Sequence, residues 1–237
     1  MADTQAFLSN RLIRALPPGE AEKLTSRCEV LEMAVRHTVF EPDQPGKYVY
    51  FPLSGVISIH TRMREGMAVE IATIGREGMV GLEIFLGGQQ AHASGFAQLA
   101  GRALRLGSED FRQVVRDSTP ITSLLLRYTQ AVLAQVSQSA ACNRVHSIEE
   151  RCARWLLMTH DRMDGDQFDL TQEFLGEMLG VRRPSVSTAA SILQRAGFIR
   201  YSRGRVEVMD RVGLERAACE CYAVIAGEYE RLIGLSS

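Results

Sequence analysis

The spacing of apolar positions changes period along the chain, and each change marks a new kind of element. Residues 4–34 carry apolar side chains at helical intervals, interrupted at 16–19 (LPPG), where two prolines and a glycine end one helix and Pro18 starts the next. Beyond that break Leu24, Cys28 and Leu31 fall on one stripe, so helix is expected as far as residue 34. From about Val35 to Leu106 the period shortens. Glycines at 46, 55, 66, 75, 78, 81, 87, 88, 95, 101 and 107 punctuate runs such as 56–61 (VISIHT), 67–74 (MAVEIATI) and 102–106 (RALRL), which alternate or are rich in β-branched residues. Many short strands at this spacing predict a compact all-β unit: a sandwich, jelly roll or barrel.

Helical spacing returns at residue 107. Ser108 is expected to cap a short helix with Glu109 and Asp110 in its first turn. Pro120 then opens a far longer one, because 121–145 contain neither Pro nor Gly. Ile121, Leu124, Tyr128, Ala131, Gln135, Gln138, Cys142 and Val145 form a heptad seam, and Leu125, Val132 and Val136 form a second apolar edge. Two edges on one long helix predict packing on its own domain with one and on a symmetry mate with the other. Leu124, Tyr128, Ala131, Gln135, Gln138 and Cys142 are the expected dimer residues, the two glutamines selecting register; a single buried helix is the competing reading. Ser147 and Glu150 make a capping box that restarts the helix, which puts a hinge at 146–147.

The next segment, 171–209, has the punctuation of a helix-turn-helix with a wing. Thr171 caps a helix over 172–179, Gly180 ends it, and Pro184 sits in the first turn of another helix. Val186, Ala189, Ala190, Leu193 and Ala196 form a narrow stripe over which a second helix crosses closely. After Gly197 two alternating strands flank a turn at Ser202-Arg203-Gly204. The whole reads as α+β: a jelly-roll domain over 1–117, a long dimerisation helix and hinge over 118–146, and a winged helix-turn-helix domain over 147–237.

Charge sharpens this picture. The chain has 237 residues and a formal net charge of -1, yet 181–206 hold arginines at 182, 183, 195, 200, 203 and 205 and no carboxylate. A basic island on an otherwise acidic body marks one face for a polyanion. Arg182, Arg183, Ser185, Ser187 and Thr188 lie at the start of the second helix and are the candidate contacts to double-stranded DNA, since arginine grips guanine with two parallel hydrogen bonds. Arg200, Arg203 and Arg205 on the wing are candidate phosphate contacts. Five dispersed cysteines argue against a disulfide framework. On a helical pattern Cys219 and Cys221 point about 200° apart, so buried reduced thiols and no metal site are expected. The start of the chain lacks an apolar core for a signal or anchor, and no run approaches the ~20 residues a membrane helix needs, so a cytoplasmic protein is expected.

The run LTQEFLGEMLGVRRPSVSTAASILQRAGFI (170–199), following a β-rich segment, long helix and hinge, resembles the Crp/Fnr family of bacterial transcription regulators. The resemblance implies a homodimer on a near-palindromic operator, with RNA polymerase as a candidate partner. Arg183 matches the family's guanine-reading arginine and Thr171 the cap of the preceding helix. Pro184 and Thr188 stand where the cyclic AMP-responsive members have a glutamate and a further arginine, which implies a different operator.

The all-β segment is similar to a cyclic-nucleotide-binding domain, but its phosphate cassette departs from the pattern. Gly81 is kept, Leu82 takes the place of the ribose-binding glutamate with Glu83 one residue late, and the run QAHAS with His92 and Ser94 has no arginine for the phosphate. A buried cyclic phosphate without that cation costs several kcal/mol, so cyclic AMP is not expected to bind in the usual way. Ser137 matches a position near the adenine. The oxygen-sensing branch carries an N-terminal cysteine cluster, whereas only Cys28 precedes residue 142 here. None of His37, His60, His92, His146 and His160 is singled out as a haem ligand. Two rival classes remain: a cupin-like metalloenzyme, which needs an H-x-H absent from this sequence, and a winged-helix protein-interaction module.

Overall fold

In the computed structural model residues 7–64 and 68–234 are described. The expected helix start at 4–6, Gly66 and the first residue of the 67–74 run lie outside them. The chain divides into two compact units, one comprising Met1–Ile59, Thr73–Leu133 and Glu228–Ser237, the other His60–Ala72 and Ala134–Gly227.

The first unit begins with α1 (Arg11–Arg14) and α2 (Pro18–Thr25). Asn10 caps α1 by accepting from the Ile13 amide, and its own amide donates to the carbonyls of Pro52 and Gly78 at 2.9 Å each. Helix does not continue to residue 34 as the spacing suggested. Residues 29–33 are instead a strand, β1 (Glu29–Met33), paired antiparallel with β7 (Gly101–Gly107) from Glu29 opposite Arg105 to Met33 opposite Gly101. Three apolar positions are too few to separate a helical from a strand period, and a partner strand decided the matter.

Between these strands run β2 (Thr38–Phe40), β3 (Tyr48–Pro52), β4 (Val56–Arg62), β5 (Ala68–Ile74), α3 (Leu82–Phe85) and β6 (Ser94–Leu99). They form two sheets, β1-β7-β3 and β2-β6-β4-β5. Met33, Tyr50 and Ala103 from one sheet meet Val39, Ile57, Ile74 and Ala97 from the other in a single apolar core, the jelly-roll arrangement expected from the glycine-punctuated strands. Next comes α4 (Ser108–Arg116), for which Gly107 rather than Ser108 is the cap residue.

The long helix, α5 (Thr119–Val145), starts under the Ser118 hydroxyl, which accepts from the Ile121 amide at 3.2 Å. The face it buries corrects the expectation for a dimer. Leu124, Tyr128, Ala131, Gln135 and Cys142 are all buried within the single chain, and Gln138 is half-buried. Ile121, Leu124 and Leu125 close over Leu12, Phe51 and Phe111, and the Tyr128 hydroxyl donates to Met79 O at 2.7 Å while accepting from Met79 N at 3.0 Å. Gln138 donates to the Cys221 sulfur at 3.1 Å. The seam is therefore occupied by the protein's own side chains. What α5 leaves exposed is another heptad-spaced stripe: Leu126, Gln130, Leu133, Ser137, Ala140 and Arg144.

The second unit carries α6 (Ile148–His160), β8 (Gln167–Asp169), α7 (Gln172–Leu179), α8 (Arg183–Arg195), β9 (Ile199–Ser202), β10 (Arg205–Val208), α9 (Arg211–Ala217) and the start of α10 (Cys221–Ile233). The capping box of Ser147 and Glu150 is complete, with both reciprocal bonds formed. The small sheet has the order β8-β10-β9, so the wing gains a third strand that the sequence pattern did not suggest. No helix among the described residues is long and apolar enough to cross a membrane.

Candidate nucleic-acid interface

Local chemistry sets the two helices of the motif. Thr171 accepts from the Phe174 amide at 3.1 Å to start α7, and Gly180 ends it in the left-handed region at φ 63°. Gly176 lets the helices approach, because a Cβ there would lie 3.0 Å from the Val181 carbonyl oxygen. Val186, Ala189, Ala190 and Leu193 bury the inner stripe of α8, but Ala196 is the exposed C-cap residue and takes no part in it.

The outer side of α8 begins with Arg182, the cap residue, and Arg183, the first residue in the helix; both are exposed. Pro184, Thr188, Ser191 and Arg195 continue one exposed stripe along it. Arg195 belongs to the basic island of the sequence but not to its expected contacts, and Ser191 to neither, although their spacing from Thr188 places both on that stripe. Ser185 is half-buried in the first turn. Ser187 differs from expectation: its hydroxyl donates to Gln172 Oε1 of α7 at 2.5 Å and braces the helix pair. The Thr188 hydroxyl donates back to the Pro184 carbonyl at 3.1 Å.

The wing closes with a two-residue turn, Arg203 at φ 53° and Gly204 at φ 77°, the geometry that matches the twist of an antiparallel pair. Its charge is less free than the sequence implied. Arg200 pairs with Glu207 directly across the strands at 2.7 Å, and Arg205 pairs with Asp169 of β8 at 2.9 Å. Glu207 directly follows 181–206 and Asp169 precedes it on a separate strand, so only the folded sheet sets both against the arginines. No carboxylate of the described residues pairs with Arg182, Arg183 or Arg203.

Behind this face the unit is braced by Arg211, which donates to Asp161 at 2.7 Å, to Tyr222 at 2.6 Å and to His160 Nδ1 at 2.7 Å. His160 Nε2 lies 2.8 Å from Asp166 Oδ1, so the imidazole ring bridges Arg211 and Asp166. Burial, then the Asp161 charge, push the Tyr222 phenol well above its ordinary range. The outer ends of β4 and β5 also belong to this unit: Trp155 Nε1 donates to Glu70 at 2.8 Å, and Val69 lies against Gly180.

The expected effector residues are distributed as follows. Gly81, at φ 103°, caps α3, where a Cβ would sit 2.9 Å from Val49; Leu82 and Glu83 begin that helix half-buried, and burial raises the Glu83 carboxyl. His92 is exposed, Ser94 opens β6, and Ser137 is exposed on α5 in the other unit. In β6 the Gln98 amide is buried, with neither side-chain atom hydrogen-bonded among the described residues.

Cys219 and Cys221 do not share one helix, so the separation of about 200° expected from a helical pattern does not apply. Cys219 instead lies in the break between α9 and α10, Cys221 starts α10, and both are buried next to Cys142.

Residues 150–217 match the model of a Crp-like helix-turn-helix domain, and residues 30–118 match that of a cyclic nucleotide-binding domain. The chain is 26% identical over 216 residues to the CRP-like cAMP-activated global transcriptional regulator of Mycobacterium tuberculosis, covering 87% of this chain and 96% of the relative. Among solved structures it resembles FixK2 from Bradyrhizobium japonicum, with a TM-score of 0.70 and 17% identity over 81% of this chain and 98% of that one. A regulator of the crp/fnr family from Eubacterium rectale gives a TM-score of 0.68 and 16% identity over 89% of this chain and 98% of the other.

Proposed function

Because this chain belongs to the Crp/Fnr family of transcription regulators, we propose that it acts as a homodimer that reads a near-palindromic operator through α8. The observation that carries this reading is the set of exposed, carboxylate-free arginines at the start of α8, beside a correctly capped α7 and a left-handed turn glycine. The first turn of a recognition helix is the part that reaches base edges. In this assignment Arg183 reads a guanine, Ser185 and Thr188 meet base edges or phosphates, and Arg182 and Arg203 hold the backbone; Thr171 positions α7 against it. Arg200 and Arg205, already paired across the sheet, contribute less than their charge suggests.

The functional division follows the sequence: a sensor over 1–117, helix and hinge over 118–146, and DNA-binding part over 147–237. For the twofold axis we assign the exposed stripe of α5 centred on Leu126 and Leu133, which are large apolar side chains that nothing in the chain covers. The sensor is not assigned cyclic AMP in the usual mode, although the mycobacterial relative is named for activation by it, because the run 90–94 offers no arginine to the phosphate. RNA polymerase is a proposed partner, the cytoplasm the proposed location, and no catalytic role is assigned.

Selection from random duplexes with the purified protein tests the reading. An inverted repeat with half-sites about 34 Å apart is expected. Recovery of no common sequence, or of an unrepeated one, would sink it.

A further inference from the structure

Four residues that the sequence separates converge at the end of α5. Cys142 lies in the last turn of that helix and His146 directly follows its end, with the His146 amide donating to the Cys142 carbonyl at 3.1 Å; Cys219 lies in the α9–α10 break and Cys221 begins α10. Their ligand atoms all lie within 4.8 Å of one another. Cys142 Sγ is 3.5 Å from Cys219 Sγ, and Cys221 Sγ is 3.5 Å from His146 Nδ1. Donors about 2.3 Å from a central ion at tetrahedral angles are about 3.8 Å apart, so these separations are close to the edges of such a tetrahedron. A polynuclear iron–sulfur cluster needs its thiolates spread around a wider body.

The surroundings have the form of a ligand set with its supports. Glu220 holds His146 Nε2 at 3.1 Å, which leaves Nδ1 facing the sulfurs, the usual carboxylate–histidine arrangement behind a metal. Gln138 donates to Cys221. Three thiolates around a dication keep one net negative charge, and two buried arginines, Arg151 and Arg154, lie close enough to act on Cys142. The Nε atoms of both are buried without a hydrogen-bond partner among the described residues. A Cys142–Cys219 disulfide would leave Cys221, His146 and Glu220 without a purpose for their convergence.

We propose that Cys142, His146, Cys219 and Cys221 form a closed tetrahedral site for one zinc ion. Thiolate and imidazole donors with no carboxylate in the set suit zinc, and four protein ligands leave no open position, so the site is structural rather than hydrolytic. Such an ion ties the last turn of the long helix, immediately before the 146–147 hinge, to the α9–α10 junction of the winged helix unit. The assignment stands apart from the DNA-binding reading.

The test uses the full chain, purified under reducing conditions, stripped of metal and titrated with cobalt and then zinc. One equivalent of cobalt is expected to give thiolate charge-transfer and tetrahedral ligand-field absorption, both abolished by zinc, and zinc is expected to raise the Tm. Cys221→Ser should lose the bands and Cys152→Ser, whose thiol is buried elsewhere, should keep them. Since a core cysteine variant can misfold, Glu220→Ala serves beside it: this exposed side chain supports the histidine alone, and its loss should weaken cobalt affinity by about 10–100-fold. The proposal is overturned if folded wild-type protein takes up no stoichiometric cobalt, if the bands survive in Cys221→Ser, if Glu220→Ala binds cobalt unchanged, or if reductant-free protein holds a Cys142–Cys219 disulfide and no metal.

Discussion

At the scale of single residues, the two kinds of arginine on the proposed DNA-binding face make separable predictions. Arg183→Ala is expected to lower discrimination at one base pair of each half-site by roughly 1–3 kcal/mol, read from competition between operator variants; equal losses on every sequence would reassign Arg183 to a phosphate. Arg203 occupies a left-handed position that costs most L-residues about 1–2 kcal/mol and that Asn tolerates better. Arg203→Asn should therefore unfold at the same or slightly higher denaturant concentration while binding all duplexes more weakly, with the salt slope reduced by about 0.9. An unchanged slope would mean that Arg203 serves the turn alone. The six arginines were legible in the sequence, but the pairing of Arg200 and Arg205 was not, because Glu207 and Asp169 come opposite them only through strand register.

At the scale of elements, α5 shows where a pattern runs out. Its length and helical character followed from 25 residues without Pro or Gly, whereas which of its edges faces inward depended on the β-roll beneath it. Tyr128 is the clearest case, a fully buried phenol bonded to both the amide and the carbonyl of Met79. Tyr128→Phe keeps the ring and strands those two backbone groups, so a loss of about 1–3 kcal/mol is expected in urea unfolding with an unchanged m-value. A loss below about 0.5 kcal/mol would show that those groups find other partners. The stretch 29–33 teaches the same lesson from the other side, since its strand exists because 101–105 lies alongside.

At the scale of the whole molecule, the proposed twofold axis along the exposed stripe of α5 makes a prediction about assembly. With Leu126→Arg and Leu133→Arg together, both at exposed positions, the protein is expected to stay folded by circular dichroism and to sediment as a monomer. Its affinity for an inverted repeat should fall to that for a single half-site. A double variant that still sediments as a dimer would move the axis elsewhere, and a wild-type monomer would remove it.

What the sequence determined by itself is everything whose cause is local: the Thr171 and Ser147 caps, the Gly180 turn, the Pro184 start, the wing hairpin and the glycine-punctuated strands. Each depends on the conformational limits of a few adjacent residues, and those limits are written in the residues themselves. The tertiary structure alone decided which face of the long helix is buried, which wing arginines are paired, that 29–33 is a strand, and that Cys142, His146, Cys219 and Cys221 meet. Those outcomes depend on groups far apart in the chain competing for the same space, and no local period records which of them wins.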